Sequence, residues 1–177
     1  GNLRQNNQWL CTEYDNLNRV SSKYVYSNPD GDIKTLYEAL YYGYSYGTTD
    51  DPAQALPYAA TNTVSLIDVA LANIGELKYE KHLLLSEGTQ QQYKETAYYY
   101  NNKGELLQTV TKYPNGNILR TSYRYDFNGN ILTKEETCNG VTKLTAYIYN
   151  NRGQLIADST TLNNGSPASV VYSYDDL

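Results

Sequence analysis

One pattern constrains what this chain can fold into more than any other: Tyr-x-Tyr-[Asp/Asn]-x-x-Gly-x-[Leu/Ile]-[Leu/Ile], in tandem. It is complete as Tyr98-Tyr-Tyr100-Asn-Asn-Lys-Gly104-Glu-Leu-Leu107, as Tyr123-Arg-Tyr125-Asp126-Phe-Asn-Gly129-Asn-Ile-Leu132, and as Tyr147-Ile-Tyr149-Asn-Asn-Arg-Gly153-Gln-Leu-Ile156. A fourth copy begins at Tyr172-Ser-Tyr174. The second tyrosines, Tyr100, Tyr125, Tyr149 and Tyr174, follow one another at steps of 25, 24 and 25 residues. A second series interleaves with the first, because Asn115-Gly116, Asn139-Gly140 and Asn164-Gly165 are spaced by 24 and 25 residues.

Both glycine series read as turns. Asn-Gly between β-type runs is a strong hairpin signal, since both residues accept the positive φ that a primed turn requires. Asp/Asn-x-x-Gly combines Asx-turn chemistry at its start with a residue tolerant of left-handed φ at its end. Chain reversal at both ends of every unit predicts strands over 77–85, 91–100, 106–112, 118–125, 131–137, 141–149, 155–161 and 168–174, all rich in Thr, Val, Ile and Tyr. The expected fold is therefore mainly all-β: an extended, twisted antiparallel meander, about 40 Å across this half and about 25 Å wide. Alternation puts the two rings of each Tyr-x-Tyr on one face of the sheet, as a tyrosine ladder. Apolar pairs such as Leu106-Leu107 lie near the glycine turns. Polar runs such as Thr133-Lys-Glu-Glu-Thr137 form a hydrated fringe toward the Asn-Gly tips.

Composition sharpens this picture. The chain has 21 tyrosines among 177 residues, and they belong to an apolar share of only 40%. A core must then be built largely from amphipathic rings. The net charge of −5 and the absence of a Lys/Arg stripe argue against a nucleic-acid partner. No apolar run approaches the roughly 18 residues of a membrane-spanning helix.

The first 75 residues are less regular. Tyr14-Asp15-Asn-Leu-Asn18-Arg-Val20 is a variant of the motif with Asn18 in the glycine place, and Tyr24-Val-Tyr26-Ser-Asn-Pro-Asp-Gly31-Asp-Ile33 is a lengthened one. Residues 1–33 are read as leading degenerate repeat strands, 34–75 as an irregular Tyr-rich insert, and 76–177 as tandem hairpins that continue into a longer protein. The insert holds the cluster Tyr41, Tyr42, Tyr44 and Tyr46. Its run Thr63–Asn73, ended by Gly75, fits a short helix, and Thr63–Val69 fits a strand nearly as well. The leading Gly1 reads as a cleavage scar, and the closing Tyr174-Asp-Asp-Leu177 as a motif interrupted by excision.

The tandem motif resembles the YD repeat of the Rhs family, and Thr12-Glu-Tyr-Asp-Asn-Leu-Asn-Arg-Val20 is close to that repeat's usual form. The order of a leading unit, a Tyr-rich stretch, Leu56-Pro-Tyr-Ala-Ala60 and then tandem repeats is similar to Bacteroidetes-type Rhs-like surface proteins in particular. The resemblance covers most of 12–33 and 77–177. It implies a sheet of YD-repeat hairpins that spirals into a hollow shell, often around a C-terminal toxin. It also implies a secreted or cell-surface location in the bacterial envelope. The self-cleavage segment that ends many such shells has no counterpart in these residues.

Catalytic chemistry is nearly absent from the sequence. His82 is the single histidine, and no nucleophile stands at a motif spacing from it. Cys11 and Cys138 lack zinc-site spacing and leave one disulfide open. Asp15, Asp30, Asp50, Asp51, Asp126, Asp175 and Asp176 follow no calcium-loop spacing. Trp9 reads as core packing before it reads as a sugar platform. No enzyme activity, cofactor or metal is therefore expected. The structural positions are Tyr14, Asp15, Tyr98, Tyr100, Gly104, Tyr123, Tyr125, Asp126, Gly129, Tyr147, Tyr149, Gly153, Tyr172 and Tyr174. The alternative is a surface module whose exposed tyrosines, above all Tyr41, Tyr42, Tyr44 and Tyr46, bind carbohydrate or protein. Expected partners are neighbouring repeats of the same full-length chain, a second copy paired through exposed sheet edges, and an enclosed toxin or a surface glycan.

Overall fold

A computed structural model describes residues 3–5, 8–27, 31–43, 51–65, 69, 75–87 and 90–175. They form an all-β chain, with twelve strands in one antiparallel sheet whose order along the sheet is the order along the chain. The only helical element among the described residues is a 3-10 turn at Pro52–Ala55, capped by Asp51, whose carboxylate accepts from the Ala53 N–H at 3.1 Å. The helix expected within Thr63–Asn73 falls largely outside the described residues; Thr63, Val64, Ser65 and Val69 are not helical.

Contacts group the chain into two units. The first comprises Gly1–Leu56, Ala72–Ala97 and Thr111–Gly116. It holds β1 (Leu3–Gln5), β2 (Gln8–Tyr14), β3 (Val20–Ser27), β4 (Ile33–Tyr41), β5 (Leu77–Glu87) and most of β6 (Gln90–Tyr100). Ala39, Tyr79 and Ala97 are its buried centre. The second comprises Pro57–Leu71, Tyr98–Val110 and Asn117–Leu177. It holds most of β7 (Leu106–Lys112), then β8 (Ile118–Tyr125), β9 (Ile131–Cys138), β10 (Val141–Tyr149), β11 (Leu155–Leu162) and β12 (Ala168–Val171). Leu107 and Val110 are buried there. Period-two patterning and two alternating turn types thus suffice to specify a meander in which each strand finds its partner next to itself in sequence.

The segment read as irregular, 34–75, begins with a regular strand, and the interruption proper is shorter. Tyr42 N–H donates to the Glu76 carbonyl (2.9 Å) and Gly75 N–H to the Tyr42 carbonyl (3.0 Å). The same two bonds close the Asp15 turn, from Asp15 to Arg19 (2.8 Å) and from Asn18 to Asp15 (2.9 Å). Tyr41-Tyr42 and Gly75-Glu76-Leu77 are therefore the two halves of one motif copy, and residues 43–74 replace its central x-x. The sequence hid this copy because its halves lie far apart and Tyr42 stands in the usual Asp/Asn place.

The three Asn-Gly tips adopt three geometries. Asn139 (φ 50°) and Gly140 (φ 77°) form the expected primed turn between Cys138 and Val141. At the first tip only Gly116 has positive φ, and its N–H bonds the Tyr113 carbonyl. Pro114 there takes the second position of a type I turn, the place its fixed φ suits. At the last tip the positive angles belong to Asn163 and Asn164, and Gly165 N–H closes the turn onto Leu162. The primed turn there is set one residue earlier than Asn-Gly marks it.

The hydrated fringe also needs correction. Thr121, Glu135 and Thr145 are buried, and polar tracts join strands through hydroxyl pairs, Thr96 with Thr111 (3.1 Å) and Thr145 with Thr160 (3.1 Å). Such cross-strand pairs let Thr fill a sheet interior without an orphaned hydroxyl.

Candidate functional site

The motif residues converge on the edge of the sheet where the Asx turns lie. In each turn the first side chain accepts two backbone N–H bonds: Asp15 from Leu17 and Arg19, Asn101 from Lys103 and Glu105, Asp126 from Asn128 and Asn130, Asn150 from Arg152 and Gln154. The residue four places later then bonds the remaining polar atom, and its chemistry complements the first. Asp15 accepts from Arg19 Nε (2.8 Å) and Asp126 from Asn130 Nδ2 (2.9 Å), whereas Asn101 Nδ2 donates to Glu105 (2.6 Å) and Asn150 Nδ2 to Gln154 (2.7 Å). An acceptor-only carboxylate meets a donor, and an amide with a free donor meets an acceptor. The bonds from the Asn130 side chain and backbone hold the Asp126 carboxyl below its ordinary value. At Asp15 desolvation pushes upward, but the Arg19 guanidinium and the backbone donors outweigh it, and the net shift is also downward.

In four copies the second tyrosine ties neighbouring strands together. The sheet register slips immediately before Tyr14, Tyr41, Tyr125 and Tyr149, so that each pairs with the first residue of the next strand, Val20, Leu77, Ile131 and Leu155. Its hydroxyl reaches the other way. Tyr41 donates to the Val20 carbonyl (3.1 Å), Tyr125 to Leu106 (2.8 Å), Tyr149 to Ile131 (3.0 Å) and Tyr174 to Leu155 (2.7 Å). Burial first, then Tyr123 and Glu105, pushes the Tyr125 hydroxyl up to about 12. The ring pair of one copy shares a face, with Tyr123 and Tyr125 centroids 6.5 Å apart.

Of the tyrosine cluster singled out as a binding surface, Tyr44 and Tyr46 lie outside the described residues. Tyr41 is covered by the Arg19 guanidinium, 3.8 Å above its ring, and Arg19 also donates to the Gly75 carbonyl at 2.6 Å. Tyr42 has the Lys78 ammonium 5.5 Å from its ring centre. Lys78 in turn pairs with Asp51.

Between one turn and the Tyr-x-Tyr that follows, the second unit carries two grooves at equivalent places in the repeat, of about 470 and 400 Å³. Asn101, Lys103, Glu105, Leu107, Tyr123 and Tyr125 in the first correspond to Asn150, Arg152, Gln154, Ile156, Tyr172 and Tyr174 in the second. The first groove has an additional wall, Thr63 and Val64 of the insert.

Sequence reasoning missed the clamp that holds this part of the insert. The Gln108 side chain, fully buried, imitates a strand backbone: its Oε1 accepts from Ala59 N–H (3.1 Å) and its Nε2 donates to the Ala59 carbonyl (2.9 Å) and to Ser122 Oγ (2.9 Å). Arg120 adds bonds to Gln108 Oε1 (3.2 Å) and the Pro57 carbonyl (3.0 Å), and the Tyr58 and Tyr99 rings pack at 5.4 Å. A lone Gln inside Leu-Leu-Gln108-Thr-Val110 is the only sequence signal for it.

The remaining candidates occupy ordinary positions. His82 lies on β5, 3.0 Å from Glu80 and beside the Tyr37 ring. Trp9 packs on Tyr26, its partner across β2 and β3. Cys11 and Cys138 are free thiols. Among the described residues no three His, Cys, Asp or Glu side chains gather as a metal site, and no helix is long and apolar enough to cross a membrane. Asp30, Asp50 and Asp176 lie outside the described residues.

Fold and site together define a class: an antiparallel meander of tyrosine-turn repeats with an insert held inside one turn. No protein-family model matches the chain, and no curated protein matches it either.

Proposed function

We propose that this chain is a non-enzymatic structural segment of a secreted or cell-surface Rhs-like repeat protein, forming part of a β-ribbon scaffold or an encapsulating shell. One observation carries the reading: at Tyr41, Tyr125, Tyr149 and Tyr174 the motif hydroxyl is spent on the backbone carbonyl that opens the preceding strand. A repeat whose most distinctive side chain joins it to its neighbour is built to propagate a sheet. Its partners are then the adjoining repeats of the full-length chain and whatever a shell encloses, a toxin in the family it resembles.

A second reading is a carbohydrate- or protein-binding surface module. It draws on Tyr172 and Tyr174, which are 39% and 51% exposed. The two separate by mutation. On the scaffold reading Tyr125→Phe and Tyr149→Phe each cost about 1 kcal/mol in denaturant unfolding, because a carbonyl loses its donor. A glycan array stays blank under the same conditions. Glycan binding abolished by Tyr172→Ala, with unfolding of both Phe variants unchanged, would reverse the assignment.

A further inference from the structure

Four Asn-Gly dipeptides lie among the described residues, at 115–116, 128–129, 139–140 and 164–165. In such a pair the glycine nitrogen can attack the preceding side-chain amide, because no Cβ shields it. What separates four copies of the same dipeptide is whether that nitrogen is already engaged. Three of the glycines donate their N–H to the carbonyl three residues back: Gly116 to Tyr113 (2.9 Å), Gly129 to Asp126 (3.3 Å) and Gly165 to Leu162 (2.8 Å). Each of them is the last residue of its turn. Gly140 stands one place earlier in its own. Between the paired residues Cys138 and Val141 it is a central residue of a two-residue turn, and among the described residues its N–H has no acceptor. Asn139 and Gly140 are both exposed, and the space that a Cβ would take on Gly140 is open. On Gly165 the same space lies 3.0 Å from the Leu162 carbonyl oxygen.

From this we infer that Asn139-Gly140 is a site of spontaneous modification, where the chain reacts first with itself and then with water. The Gly140 nitrogen gives its proton to hydroxide and bonds the Asn139 Cγ. The bond from Cγ to the side-chain nitrogen breaks, and that nitrogen leaves as ammonia after taking a proton from water. The cyclic imide then adds one water molecule at either carbonyl, and opening of its C–N bond leaves an aspartate or an isoaspartate at position 139. At the other three sites the glycine N–H must first be released from its acceptor, which at a typical net bond strength slows the reaction by about fivefold. The isoaspartate product matters for the sheet. It adds a backbone atom to a turn of two residues whose length sets the register of β9 on β10.

The test is an incubation of the whole chain in mildly alkaline buffer with a thiol reductant, followed by peptide mapping in a mass spectrometer. The map reads, at Asn115, Asn128, Asn139 and Asn164, the fraction in which OH has replaced NH2. In the folded chain Asn139 is expected to convert about fivefold or more faster than each of the other three. In concentrated urea, where no turn is kept, the four rates should converge, since every one of these asparagines precedes a glycine. A folded chain in which Asn139 converts no faster than the others would overturn the inference. So would an advantage at Asn139 that persists undiminished in urea, because it would then belong to the neighbouring residues and not to the turn.

Discussion

At the scale of single residues, the turn edge follows a donor-acceptor rule that the repeat writes four times. Asp at the first turn position stands with Arg19 or Asn130 four residues on, and Asn stands with Glu105 or Gln154. The pairs have a consequence that propensity alone lacks, because Asp and Asn are otherwise near equals in an Asx turn. Asn101→Asp would set a carboxylate against the Glu105 carboxylate, which Asn101 Nδ2 now meets at 2.6 Å. It should destabilise the chain by about 1–2 kcal/mol near neutral pH, as a bond is lost and like charges meet. Adding Glu105→Asn recreates the Asp126–Asn130 arrangement and should return most of that loss. A double-mutant cycle in urea reads the coupling, and strictly additive costs would refute the rule.

At the scale of elements, the strands and Asx turns were legible because they depend on local chemistry: alternating Thr, Val, Ile and Tyr between residues that tolerate positive φ. What was not legible depends on residues distant in sequence or on competition within a turn. At Leu162-Asn163-Asn164-Gly165 two asparagines contend with Asn-Gly for the central positions, and the asparagines take the positive φ. Gln108 shows nothing of its clamp until Ala59 is beside it. The divided motif, Tyr42 joined to Gly75, gives the clearest lesson and a prediction. Its two closing bonds have ordinary lengths despite the intervening residues 43–74, so the strands on either side hold the turn together. The sheet should then accept a segment at the same place in another copy. A flexible Gly/Ser linker of about ten residues between Phe127 and Asn128 is expected to cost only about 1–2 kcal/mol of loop-closure entropy. Unchanged far-ultraviolet circular dichroism and one cooperative transition would bear this out, and collapse of the β signal would show that the short turn is required.

At the scale of the whole molecule, a meander whose strand order follows the chain order ends in strands with one open side. β12 is the described case: Ala168, Ser169, Val170 and Val171 are all exposed, Val171 at 81%, and no Lys, Pro or bulge interrupts the strand. Natural sheets blunt such edges, because unpaired N–H and C=O groups beside apolar side chains recruit another strand. Within the second unit the Tyr174 hydroxyl is bonded to the Leu155 carbonyl as Tyr125 and Tyr149 are to Leu106 and Ile131, so the paired side of the last strand is built like an interior one. A second copy of the chain can supply the missing strand in solution. Sedimentation velocity should therefore show association that grows with concentration. Val171→Lys should suppress it without altering the unfolding transition, because the substitution changes an exposed edge and leaves every tyrosine bond in place. A chain that stays monomeric at all concentrations, or a lysine variant that associates as strongly as the parent, would mean that the β12 edge is protected by something other than its own sequence.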